Sequence, residues 1–151
     1  MNEATVKAGF VALVRGELPT AVVYRHEDRF SAGVPDISVS WNGRTSWWEV
    51  KWAHPGFECG KVQHIMMLRL EKVTIARYLI YANIRGEKTT HVVLPSESER
   101  WRDSVLAPGF DHKTVLTQLK ALHGRGLMLP EKGEPTMRLP EDRQLPWEET
   151  S

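Results

Sequence analysis

The dipeptide Asn42-Gly43 constrains this chain more than any other pair of residues. Both types accept positive φ, and between alternating apolar and polar residues they specify a two-residue type I′ turn. The flanking segments "VPDISVSW" (34–41) and "TSWWEVKWA" (45–53) read as the two strands of a hairpin. The turn also fixes the register. Trp41 faces Arg44, and counting outward Asp36 faces Glu49. A four-residue loop gives the same pairing.

Side chains alternate across a strand, so Ile37, Val39, Trp41, Trp48, Val50 and Trp52 share an apolar face. Asp36, Ser38, Ser40, Trp47, Glu49 and Lys51 share the other, which is polar. Opposed residues have Cβ atoms roughly 5 Å apart. Two carboxylates therefore confront each other at one end of the hairpin, with an ammonium two residues further on. Two arrangements relieve the repulsion. A hard divalent cation such as Mg²⁺ binds oxygen ligands, including one or two carboxylates. An ion pair between Lys51 and either acid does so without any metal. The first arrangement opens phosphodiester hydrolysis, because the ion polarises a phosphoryl oxygen and Lys51 can serve the attacking water.

The rest of the chain alternates between helical and extended patterns. Val6, Phe10, Leu13 and Val14 place one face of a helix over 3–16, and Pro19 stops it. A short strand is expected over 21–27. Val62, Ile65, Met66, Leu70 and Val73 trace a second helix over 60–76, followed by strands over 77–84 and 90–95. Residues 96–124 read as helical, with Ser96 or Ser98 as a cap, Val115, Leu119 and Leu122 on one face, and Gly124 at the end. The pattern describes a mixed α/β domain.

The 151 residues suffice for one domain with a real core. A single cysteine, Cys59, excludes a disulfide within the chain and suits a reducing cytoplasm. The first residues do not read as a secretory signal, and no apolar run reaches the length of a membrane span, so no membrane partner is expected. The net charge is +1. Residues 51–95 nevertheless carry a balance of +4 and residues 130–151 one of −3. A basic segment of this kind can meet phosphates, or simply be a solvated surface. Of the tryptophans, Trp48 and Trp52 belong to the core face, whereas Trp47 shares the acidic face and is a candidate for stacking on bases.

"GVPD", "WWEVK" and "GKVQHIMMLRL", in that order, resemble the PD-(D/E)xK nuclease superfamily, most of all its VRR-NUC branch and the small Holliday-junction resolvases. The resemblance spans roughly residues 3–95. It implies an α/β fold with a restriction-endonuclease-like core (helix, three strands, helix, strand; a mixed sheet flanked by helices) over 1–95. A helical C-terminal extension over 96–129 follows, then a hairpin-like segment and acidic tail over 130–151.

It also implies roles. Asp36 and Glu49 would hold Mg²⁺, with Mn²⁺ able to substitute, and the Val50 backbone carbonyl would be a further ligand. Lys51 would be the catalytic lysine, and Gln63 would sit near the metal or the scissile phosphate. An acid in the first helix often completes such sites; Glu3 is the candidate, with Glu17 behind it. Arg25, Arg29 and Lys61 are candidates for contact with nucleic-acid phosphates. The loop "WAHPGFECGKV" departs from the small-residue loop expected between lysine and glutamine. The implied function is a metal-dependent DNA endonuclease acting on junctions or branched DNA as a homodimer. The alternatives are a non-catalytic nucleic-acid-binding protein on the same fold and a phage-type protein-interaction factor.

Overall fold

A computed structural model of the chain describes residues 2–26 and 33–124. It opens with α1 (Glu3–Glu17), capped by Asn2, whose side-chain oxygen accepts the Thr5 N–H at 2.9 Å. Three strands follow: β1 (Val22–Arg25), β2 (Ile37–Trp41) and β3 (Arg44–Ala53). The helix α2 (Lys61–Val73) leads to β4 (Ile75–Ile84) and β5 (Glu87–Val93). A 3-10 helix over Pro95–Asp103, a short strand β6 (Val105–Pro108) and α3 (His112–His123) complete the order.

The strands form one six-stranded mixed sheet in chain order. All neighbours are antiparallel except β3 and β4, which run parallel and are joined across the sheet by α2. The β2–β3 turn takes positive φ at both central residues, 53° at Asn42 and 78° at Gly43, as a type I′ turn requires. Its ladder runs from Trp41↔Arg44 to Ile37↔Trp48. One more step brings Asp36, just before β2, to the level of Glu49.

Both faces of the sheet are covered. On one, α1 and α3 pack Val6, Phe10, Val14, Val115 and Leu119 against Ile37, Val39, Trp48 and Val50. On the other, α2 and the 3-10 helix bring Met67 and Trp101 against Ala53, Ala76, Tyr78 and Ile80. Because β4 is buried on both sides, it reads as the nearly unbroken apolar run "IARYLIYANI". This second core corrects the expectation that the Glu49 face is simply polar. Beyond Lys51 the same face is apolar, because the parallel crossover lays α2 over it.

The C-terminal third departs from the helical expectation over 96–129. Among its described residues, β6 interrupts the helices and extends the sheet by pairing Ala107 with Thr90. Ser96 caps nothing. Its N–H and hydroxyl both donate to the Glu71 carboxylate of α2, at 2.8 and 2.7 Å, and so dock the 3-10 helix. The second helix ends at Val73, earlier than expected, where β-branched Val73, Thr74 and Ile75 favour extended backbone. The hairpin expected within 130–151 lies outside the described residues. Among those described, no helix is long and apolar enough to cross a membrane.

Candidate active site

The turn that delivers Asp36 begins at Gly33, which takes φ +89°. A Cβ there would also crowd Val62 of α2, 3.1 Å from its side chain and 3.3 Å from its carbonyl, which adds to the preference for glycine. Asp36 then enters the gap between α1 and the end of β2. One carboxylate oxygen, Oδ1, lies 3.2 Å from the Lys7 ammonium of α1. The other, Oδ2, accepts the Val50 N–H at 3.0 Å. The Asp36 N–H in turn donates to Glu49 Oε1 at 3.1 Å. Glu49 Oε2 lies 3.2 Å from Lys51 Nζ, and Lys51 donates to the Gln63 carbonyl oxygen at 3.2 Å. Asp36, Glu49, Lys51 and Gln63 are thus linked in one chain of polar contacts supplied by the turn entering β2, by β3 and by the first turn of α2. Neighbouring N–H and C=O groups of an extended residue point to the same side, so the Val50 carbonyl shares the edge on which its N–H meets Asp36.

Burial sets the electrostatics. Glu49 is 1 % exposed, and its carboxyl pKa is pushed up to about 7. Desolvation is the largest cause and repulsion from Asp36 the second; Lys51 and the Asp36 N–H offset part of both. Burial alone would lower the Lys51 pKa, but the charge and hydrogen bond of Glu49 outweigh it and hold the ammonium above its ordinary value. Glu3 adds to that effect, so its charge reaches the site from the first turn of α1. Glu17 stands at the opposite end of α1, roughly 20 Å away at 1.5 Å per residue.

The remaining candidates are dispersed. Arg25 pairs with Ile37, which places it by alternation on the α1 side of the sheet, opposite the face of Glu49. Lys61 is the exposed first residue of α2. Arg29 lies outside the described residues. Four residues that sequence reasoning missed join the site. Lys7 is one. The others extend the network behind Gln63: Cys59 Sγ donates to the Gln63 oxygen at 3.2 Å and sits 3.1 Å from the Tyr78 hydroxyl, which meets His64 Nδ1 at 2.8 Å. Burial pushes the Cys59 thiol and the Tyr78 hydroxyl up in pKa, so both stay protonated and act as hydrogen-bonding groups. Nothing in the local sequence signals this arrangement, because Cys59 precedes α2 and Tyr78 belongs to β4.

Among the described residues no three His, Cys, Asp or Glu side chains gather as a ready-made metal cage. Two carboxylates and a main-chain carbonyl are nonetheless hard oxygen donors. They suit Mg²⁺, which keeps several waters and takes few protein ligands. The like-charge pair also wants a cation, and Lys7 and Lys51 supply positive charge to it here. No family model matches the sequence, and no curated protein matches it. The fold and site define an α/β protein with a mixed six-stranded sheet and an acid–acid–lysine cluster at the mouth of its central hairpin.

Proposed function

We propose that the chain is a metal-dependent DNA endonuclease of the PD-(D/E)xK type, with α1 through β4 as its restriction-endonuclease-like core. The observation that carries this reading is the linked set Asp36–Glu49–Lys51–Gln63, with one acid buried at the cost of a strongly raised pKa. Ionisable groups perturbed by desolvation and by a specific charged partner cluster at functional sites. Asp36, Glu49 and the Val50 carbonyl would hold Mg²⁺. When bound, Mg²⁺ supplies polarisation of a phosphoryl oxygen and a water of lowered pKa. Lys51, kept cationic by Glu49, donates to charge developing on the phosphoryl group, and the Gln63 carbonyl fixes the ammonium in place. Cutting both strands of a branched duplex takes two such sites, which a C₂ dimer supplies. The lone cysteine suits a cytoplasmic setting.

One observation favours a second reading. Lys7 neutralises Asp36 without any metal, as a non-catalytic nucleic-acid-binding protein on this fold would need. Supercoiled, linear and four-way-junction DNA, each incubated with Mg²⁺, Mn²⁺ or EDTA, separate the two. The endonuclease reading expects cleavage with either metal and none with EDTA. Binding without cleavage under every condition refutes it in favour of the second.

A further inference from the structure

The sheet face that carries Glu49 continues away from α2 towards the β1 edge. Tyr24 pairs with Ser38, and Ser38 with Trp47, so these three residues lie in one row on that face. His26 follows Tyr24 on the same side, and its N–H donates to the Asp36 carbonyl at 2.7 Å. Its ring is fixed by a 2.8 Å hydrogen bond between Nε2 and the Ser38 hydroxyl. The rings of His26 and Trp47 stack, with centroids 5.4 Å apart and 29° between planes. Those of Tyr24 and His26 are 6.0 Å apart and inclined by 32°. Three rings therefore step inward from the sheet edge, and the middle one belongs to the residue whose backbone bonds to Asp36. The inner one, Trp47, packs against the second core, whereas the outer one, Tyr24, is 61 % exposed.

We propose that this row is a stacking platform for an unpaired nucleobase next to the scissile phosphate. The proposal rests on the endonuclease reading and names its substrate class: nucleic acid with single-stranded character at the site of cutting. A base inside a duplex has both faces covered by its neighbours and cannot lie on a sheet. An unpaired base has a free π-face, and aromatic side chains on an open sheet hold such bases without regard to sequence. The middle member of the row, His26, lies directly across from Asp36, so a base stacked on the row would bring its sugar-phosphate chain to the Asp36 end of the site.

The test uses the full chain in EDTA, so that binding is read without metal or cleavage. Fluorescence anisotropy compares a labelled oligothymidylate with an abasic oligodeoxynucleotide of the same length. The abasic strand has the same phosphates and so the same salt-dependent attraction. The wild type should prefer the thymidylate by roughly 5- to 100-fold, the worth of one base–aromatic stack. Tyr24→Ala should bring that ratio close to one, and Tyr24→Phe should retain it. Equal affinity of the wild type for the two strands overturns the proposal whatever the variants do. A Tyr24→Ala protein that keeps the wild-type ratio but changes its sedimentation would assign the surface to a second copy of the chain and also overturn it. Loss of metal-dependent cleavage on every substrate would instead remove the endonuclease reading, and the base preference would stand as measured.

Discussion

Replacing Glu49 with glutamine should stabilise the metal-free protein, and the structure sets the size of the effect. The Glu49 pKa is raised from 4.5 to about 7, first by burial and then by Asp36. Each pH unit between folded and unfolded values is worth about 1.4 kcal/mol. A group whose folded pKa is raised stabilises the fold fully below its unfolded value and loses that contribution as pH rises through the folded one. Glu49 therefore costs the fold about 3 kcal/mol at pH 8, where it is ionised, and about 1 kcal/mol at pH 5, where the fold holds it protonated. The figure already includes the attraction of Lys51. Glutamine is neutral at every pH and keeps an oxygen for the Asp36 N–H. For a domain of this size each kcal/mol moves Tm by about 2–4 °C. In EDTA, Glu49→Gln should melt about 5–10 °C above the wild type at pH 8, with the gap shrinking to a few degrees at pH 5. A variant that melts below the wild type at pH 8 would refute the reasoning. Glu49 would then be a structural counter-ion of Lys51 and not a strained ligand.

Three further outcomes are expected. Asp36→Asn keeps an acceptor for the Val50 N–H, so its metal-free Tm should change little, while Mg²⁺, which raises the wild-type Tm by binding only the native state, should raise that of the variant far less. Lys7→Met removes the cation from Asp36 Oδ1 and should tighten Mg²⁺ binding about tenfold in isothermal titration calorimetry; weaker binding would show that Lys7 helps to hold the site instead. His123 is fully buried and accepts from Ser46 at Nε2 while donating from Nδ1 to the Trp41 carbonyl; burial pushes its pKa down, as it does those of His91 and His112. Unfolded histidines bind protons at higher pH than these, so Glu49→Gln, freed of the opposing carboxylate, should lose stability in melts as pH falls below about 6.5.

What the sequence made legible follows from local geometry. The Asn42-Gly43 turn determines a register, alternation then assigns faces, and the structure reproduces both from Trp41↔Arg44 to Ile37↔Trp48. The order of helix, three strands, helix and strand is likewise present. Lys7 was out of reach because its partner Asp36 belongs to a different element, and nothing local says which flank of α1 turns towards the sheet. The strand β6 is four residues long, too short to show a period, and earns its place only by pairing with β5. The burial of Glu49 was invisible because it depends on where α2 comes to rest, not on the hairpin.

The central claim is that Lys51 performs chemistry at a metal-dependent site, and single-turnover cleavage of the best DNA substrate in Mg²⁺ tests it most directly. Lys51→Ala should cut at least about 100-fold more slowly than the wild type, the usual cost of losing one donor to transition-state charge. Its DNA affinity, measured in parallel in EDTA, should change by less than about threefold, because many phosphate contacts share the ground-state binding. A variant that cuts at the wild-type rate, or that fails only because it no longer binds DNA, would contradict the account.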